Sequence, residues 1–320
     1  MADAANIVAD RIIDGIIDRG ECNLIDDFCY PFSLGVIMEM LKLPAEHKAA
    51  YRRRAESLLG LMVPRALDGA APTKSDLPED VIRARWSDLV EADWFLRGIV
   101  AERERLPQDD IISAMLRARD GEGNAIDRGA VIRHSLSLIF AGIDTTANLL
   151  AHMAFLFTKN PDQLSALKRD PSLVNNAVEE GLRRRGSGSC IYRVATRDVE
   201  LRGQSIPKGS MVCLLLPGAN LDAEMFPDPE KFDIKRSNAI RHLGLGHGRH
   251  ACIGQTLVRV EAPAGLLKLY GRMPDLHVDL SIPVEYPPNF TASTVSRIIT
   301  RWTRPDDPAS ESLPGARRFR

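Results

Sequence analysis

The sequence predicts a mainly α protein with a small β region, an α+β fold in one domain over residues 1–303, with a disordered tail over 304–320. Three observations carry that expectation. Apolar residues recur at helical spacing through most of the first 186 positions. The spacing switches to period two just after residue 190. No Pro-, Gly- or Ser-rich linker divides the chain, and no internal repeat is visible. The tail is polar and Pro-rich, a composition that buries too little apolar surface to order itself.

Ile7, Val8, Ile12, Ile13, Ile16 and Ile17 share one helical face, and Gly20 suits its end. Ser33–Leu43 reads as a second helix closed by Pro44, and further helical patterns run through Ala49–Leu59 and Val81–Glu104. Pro64–Pro78 between them is a loop. Asp109–Ala118 is helical, and Asp120–Asn124 turns the chain. Arg128–Thr158 is the longest helical pattern and is apolar on every side, which predicts a helix at the centre of the protein. Pro161–Lys168 is a short helix. Asp170 and Pro171 supply the N-cap and first position of the next, which ends near Gly186. Strands are expected at Ile191–Ala195, Val199–Leu201 and Ser210–Leu216, with Pro207-Lys208-Gly209 as a turn. Residues 217–250 read as irregular, Gly254–Tyr270 as helix, and Val284–Trp302 as short strands around Pro287-Pro288.

Bulk properties narrow the function classes. The net charge is −1, from 42 basic and 43 acidic side chains. That balance argues against nucleic acid as a partner, since such binding needs a basic surface. The run Leu136–Phe157 is broken by Asp144, Thr145, Thr146, Asn148 and His152, which predicts a buried helix and no membrane span. Five scattered cysteines, with no Cys-x-x-Cys, suit neither a disulfide framework nor a zinc site and point to a reducing, cytoplasmic compartment. The first residues lack the basic and apolar blocks of a signal peptide.

Three segments carry possible chemistry. His242-Leu-Gly-Leu-Gly-His-Gly-Arg-His-Ala-Cys-Ile-Gly254 sets Cys252 in a glycine-rich loop directly before a helix. Gly246, Gly248 and Gly254 let backbone approach something flat, and the helix turns its free N–H groups toward the sulfur. A soft, large partner such as haem iron suits that arrangement, although a plain buried cysteine beside a helix start has the same local pattern. Ala141-Gly142-Ile143-Asp144-Thr145-Thr146 places small residues, an acid and hydroxyls midway along the central helix. They could leave room, hold water and relay protons, or be satisfied core residues. Glu180 and Arg183 share a helix face at i,i+3, a spacing that surface pairs also show.

Taken in order, Ala-Gly-x-Asp-Thr-Thr, Glu-x-x-Arg, Phe-Pro-Asp-Pro-x-x-Phe-Asp and Gly-x-Gly-x-His-x-Cys-x-Gly resemble the soluble bacterial cytochromes P450, from about Ile7 to about Trp302. The resemblance implies a cytochrome P450-like fold and haem b as cofactor, with Cys252 as the axial ligand of its iron. It implies that Thr145 holds bound oxygen and water while Asp144 feeds protons, and that Ala141 and Gly142 form a groove over the haem. Leu245, Gly246 and Gly254 would shape the sulfur loop, and Arg193 and His250 would meet the propionates. Glu180 and Arg183 would join Arg236 in a buried network. Residues 186–191 and 289–293 would lie near substrate. The implied reaction is a monooxygenation: one atom of O2 enters an apolar small molecule, with electrons from a ferredoxin or flavoprotein reductase. Arg241 and Arg249 would give the docking face positive charge. The rival from another class is a haem-binding chain without turnover.

Departures from the family pattern are local. Leu245 stands in place of the usual Phe, Leu221 in place of a common Arg, and no Pro follows Arg183. Pro263 is expected to kink the helix after the loop. The acid–threonine helix comes early, so roughly a hundred N-terminal residues of the family pattern are expected to be absent.

Overall fold

The computed structural model describes residues 1–47, 50–54, 57, 78–287 and 292–308. Nine α-helices are named among them: α1 (Ala2–Asp14), α2 (Tyr30–Leu41), α3 (Glu79–Arg105), α4 (Ile111–Arg117), α5 (Arg128–Lys159), α6 (Pro161–Arg169), α7 (Val174–Arg185), α8 (Leu216–Asn220) and α9 (Gln255–Arg272). The seven described strands are short: β1 (Glu21–Asn23), β2 (Cys190–Val194), β3 (Val199–Leu201), β4 (Gln204–Ile206), β5 (Met211–Leu215), β6 (His277–Val278) and β7 (Ile299–Arg301). The architecture is helical with small β elements, as the periodicity predicts.

α5 organises the molecule. Asp127 caps it by accepting the Ala130 N–H at 2.8 Å. It packs against α2, α3, α4, α7 and α9, and its C-terminal half is buried almost continuously from Thr146 to Phe157. By length and composition it could cross a membrane, but two thirds of its most apolar window is buried inside the protein. A helix surrounded by other helices needs apolar residues on all sides, which explains the pattern. Phe157 meets Phe232 and Tyr270 edge-on, at centroid distances of 5.6 and 5.5 Å.

The sheets bring distant segments together. In the three-stranded sheet β1–β7–β6, Cys22 pairs with Thr300 and Val278 with Thr300. β2 and β5 form an antiparallel ribbon, Cys190 opposite Leu215, and β3 and β4 form another.

Several boundaries differ from expectation. The first helix starts at Ala2 and yields to a 3₁₀ turn, Ile17–Arg19, which Gly20 ends in the left-handed region at φ 76°. The second starts at Tyr30 behind a π-helical turn, Ile25–Cys29, that local spacing does not show. The stretch 217–250 is not wholly irregular, since it holds most of α8 and 3₁₀ turns at Ala239–Arg241 and Gly248–His250. α9 holds Pro263 inside it and ends at Arg272, two residues past the expected end. Of the expected helix Ala49–Leu59, residues 50–54 and 57 are helical and the rest lie outside the described residues, as does the loop up to residue 77. Residues 304–308 turn back, with the Asp307 N–H donating to the Arg304 carbonyl at 3.1 Å. The remainder of the expected tail lies outside the described residues.

Candidate active site around Cys252

The loop before α9 is built by backbone. Gly246 and Gly248 adopt φ of 71° and 69°, where a side chain would be strained. The Cys252 N–H donates to the Leu245 carbonyl at 2.8 Å, closing the loop on itself. α9 begins at Gln255, three residues on. A Cβ on Gly254 would sit 3.7 Å from Cys252 Sγ, so the sulfur lies at the mouth of the helix. Cys252 is a free thiol and exposed, and Ile253 beside it is 85% exposed. Leu245 is half-buried and packs on the core. His250 and Arg249 are exposed on the 3₁₀ turn before the sulfur. Arg193 is exposed on β2, its Nη1 donating to the Tyr192 carbonyl at 2.8 Å.

α5 supplies the second part. Ser137, Ala141 and Thr145 are exposed at i, i+4 and i+8, a stripe of small residues leading into the buried C-terminal half of the helix. Thr145 Oγ1 donates to the Ala141 carbonyl at 2.7 Å, which leaves its lone pairs on the open side. Asp144 is half-buried, and its carbonyl accepts from Asn148 Nδ2 at 2.7 Å. Gly142 faces elsewhere: a Cβ there would come within 2.5 Å of Ile37 Cδ1 on α2, so it lets two helices approach.

Behind the loop lies a buried ionic network. Glu180 and Arg183 are 0% and 1% exposed, and pair through both oxygens at 2.7 and 2.8 Å. Arg183 also donates to the carbonyls of Asn220, Pro229 and Lys231, so all five of its N–H groups are used. Arg236 Nε lies 3.2 Å from Glu180 Oε2, while its Nη1 and Nη2 bind the carbonyls of Pro227, Asp228 and Lys231. This pair is structural and buried; the surface alternative for Glu180 and Arg183 does not hold.

Sequence reasoning missed three further groups. Glu261 on α9 is 1% exposed and accepts from Thr146 Oγ1 at 2.6 Å. Burial pushes its carboxyl up to about 7, against the opposing hydrogen bond from Thr146. Its second oxygen has no partner among the described residues. A single acid on the apolar stripe Val258–Ala262–Gly265 was the available signal. The second group is Glu179, His242 and Arg259, one residue away from the pair that drew notice. The third is His152, 1% exposed, its Nδ1 2.9 Å from the Arg185 carbonyl and its Nε2 3.5 Å from Ser293 Oγ. Burial, and then Arg185, lowers its pKa to about 4, so it is neutral. It ties the end of α7 to the segment at 292–295, whose Val295 N–H donates to Asn148 Oδ1 at 2.5 Å. An isolated bridge joins Gly188 to Ala292, so the two stretches expected near substrate do meet; 289–291 lie outside the described residues.

The donor set fits a haem. No cluster of three His, Cys, Asp or Glu able to hold a metal occurs among the described residues. A single exposed sulfur on a loop kept narrow by Gly246 and Gly248 suits the one protein ligand that a haem iron would take there.

Known proteins resemble this chain over most of its length. The family model described as Cytochrome P450 matches residues 91–269. The cytochrome P450 monooxygenase PikC of Streptomyces venezuelae is 32% identical over 303 residues, covering 92% of this chain and 68% of PikC. The biotin biosynthesis cytochrome P450 of Bacillus subtilis is 33% identical over 268 residues, covering 84% of this chain and 64% of the relative. The chain thus spans about two thirds of the length of the relatives it matches. Among solved structures, P450BioI bound to an acyl carrier protein carrying hexadec-9Z-enoic acid superposes with a TM-score of 0.83 at 28% identity, covering 94% of this chain and 74% of the other. Ligand-free cytochrome P450 TbtJ1 gives 0.84 at 29%, covering 93% and 75%. On this evidence the chain belongs to the cytochrome P450 family, a family of monooxygenases.

Proposed function

We propose that this chain is a haem-thiolate monooxygenase that places one oxygen atom from O2 into an apolar small molecule. The observation that carries the reading is the free, exposed Cys252 sulfur at the start of α9, held by the Leu245–Cys252 backbone bond. Bound haem would supply the iron on which O2 is activated. The protein's own part is to hold, orient and protonate. Cys252 would be the ligand, and Leu245, Gly246 and Gly254 would keep backbone clear of the ring. Arg193 and His250 are exposed and cationic or polar, suited to the propionates of haem b. Ala141 and Thr145 would line the opposite side. Thr145 Oγ1, with its proton directed to Ala141, can accept a hydrogen bond from water there. Asp144, half-buried at the previous position, would pass protons to that water. Gly142 would act one layer back, by seating α5 on α2.

An apolar substrate is supported by the relatives' names, which include a 6-deoxyerythronolide B hydroxylase and a steroid C26-monooxygenase. Electrons would come from a ferredoxin or flavoprotein reductase, and the compartment would be the cytoplasm. Arg241 and Arg249 are exposed close to the sulfur in sequence. Reversing both to Glu should slow reduction by an acidic donor and flatten its salt dependence, as measured by stopped flow. Unchanged rates at low and high salt would place the donor elsewhere.

The deciding experiment is haem reconstitution followed by the reduced carbon monoxide spectrum. The thiolate-type band should appear in the wild type and be absent in Cys252→Ala. A wild type without that band would overturn the reading. The rival reading, haem binding without turnover, is separated in the same sample. It predicts the band but no substrate-dependent consumption of reductant.

A further inference from the structure

Glu179 and Glu180 are neighbours on α7 and serve separate networks. Glu180 turns to Arg183 and Arg236. Glu179, 7% exposed, turns to the other side and grips two residues that flank the sulfur loop. Its Oε1 accepts from Arg259 Nε at 2.6 Å. Its Oε2 accepts from Arg259 Nη2 at 3.2 Å and lies 3.0 Å from His242 Nε2. His242 Nδ1 accepts the Gly244 N–H at 2.9 Å, so the imidazole proton must sit on Nε2 and point at Glu179. The ring is therefore a neutral strut with one permitted tautomer. Leu243 is pinned beside it, its N–H donating to Asn220 Oδ1 at 2.7 Å. Gly244 lies so close to α7 that a Cβ would be 2.7 Å from the Leu182 carbonyl. Leu245 then accepts the Cys252 N–H. A continuous chain of contacts thus runs from Glu179 through His242, Gly244 and Leu245 to the sulfur-bearing residue. On the far side Arg259, seven residues after Cys252 on α9, is within electrostatic range of the sulfur. Burial would push the Glu179 carboxyl up, but its hydrogen bonds to His242 and Arg259 outweigh this and hold it below the ordinary range. The pair borders a surface groove lined by Ser172, Asn176, Ile240 and Pro263.

We propose that Glu179 is a positioning residue for Cys252: one carboxylate fixes the loop through His242 and fixes Arg259 on the helix that follows the sulfur. The inference rests on Cys252 being the iron ligand. Two consequences follow from the hydrogen-bond roles. A glutamine at 179 has one acceptor oxygen where three donors converge, and its amide would meet either the His242 Nε2–H or Arg259 head-on. The imidazole cannot switch tautomer without releasing Gly244. Electrostatically, neutralising Glu179 leaves Arg259 unbalanced, while neutralising Arg259 leaves Glu179 unbalanced. The two changes should move the iron's reduction potential in opposite directions.

The test uses Glu179→Gln and Arg259→Gln in the full chain, with and without haem. In the haem-free protein, Glu179→Gln should speed amide exchange at Gly244 and Cys252 about tenfold, the scale of one lost charge-assisted hydrogen bond. The Asp233 amide, which bonds to Glu180 Oε1, should keep its protection. In the reconstituted protein, the potential should rise in Glu179→Gln and fall in Arg259→Gln. Unchanged exchange at Gly244 and Cys252, or potentials shifted in the same direction, would overturn the proposal while a thiolate-type wild-type spectrum left the ligand assignment standing. A wild type lacking that spectrum would remove Cys252 as ligand, and with it the proposal.

Discussion

Three acids, Glu179, Glu180 and Glu261, lie in or near two family motifs, and each is buried against different partners. Glu180 is matched by two guanidinium groups, and removing Arg183 would break the buried bidentate pair and leave Arg236 alone, at a cost of up to about 3–5 kcal/mol. Glu261 has only the Thr146 hydroxyl, and its carboxyl is pushed up to about 7 by burial. In the folded state it holds its proton to higher pH than in the unfolded chain. Its contribution is therefore full below about 4.5, is lost as pH rises through about 7, and stays lost above. The difference is on the order of 3 kcal/mol at a site almost entirely buried. Glu261→Gln keeps the acceptor for Thr146 and removes the titration. The variant should gain thermal stability relative to wild type between pH 5 and pH 8, and match it near pH 4.5. Parallel melting curves across that range would show that Glu261 does not titrate there. None of these states is written in the sequence: the spacing of Glu180 and Arg183 was visible, but the carbonyls of Asn220, Pro229 and Lys231 that complete the site come from 37 to 48 residues away.

At the scale of elements, legibility depended on whether an element carries its own cause. α5 does, because 32 residues of apolar spacing with an Asp cap specify a central helix without help. α7 does so only in part: Asp170 accepts the Ser172 N–H at 3.1 Å, but it caps the 3₁₀ turn Pro171–Leu173, and α7 itself starts after that turn, at Val174, with no side-chain cap. β1, β4 and β6 are two or three residues long and exist through their partners, so no local pattern could show them. The helix crossings are similarly hidden, because a glycine inside a helix looks like a weakness until its neighbour is known. Gly35 of α2 illustrates this: a Cβ there would lie 2.6 Å from Val8 Cγ1 of α1. Gly35→Ala gains helix propensity but must push α1 and α2 apart, and overpacking of this kind costs about 1–3 kcal/mol. The denaturation midpoint should fall while the carbon monoxide band of the reconstituted protein stays at the wild-type wavelength. A higher midpoint would mean that Val8 moves aside and that propensity decides.

Across the whole molecule, the described ends of the chain hold each other. β1, near the start, pairs with β7, near the finish, and Asn23 Oδ1 accepts the Ile298 N–H at 2.9 Å. Trp302, 5% exposed, donates its indole N–H to the Ile17 carbonyl at 2.7 Å and its backbone N–H to the Gly20 carbonyl at 3.0 Å. Lys268 and Arg272 on α9 reach Asp10 on α1, so the helix that follows the sulfur loop is braced by the first helix. The other β region lacks such cover. On the β2–β5 ribbon Val194, Met211, Leu214 and Leu215 are all exposed, and a two-stranded ribbon is marginal by itself. The clasp of β1, β7 and Trp302 sits next to α1, which contacts α9. Trp302→Ala removes a buried ring and a hydrogen bond, a change worth about 3–5 kcal/mol. Because α1 contacts α9, the loss should reach the sulfur loop: haem should dissociate at lower denaturant concentration than in the wild type, together with the far-UV transition. A Trp302→Ala protein that lost helix signal at lower denaturant but released haem at the wild-type concentration would show instead that the clasp and the sulfur loop unfold as separate units.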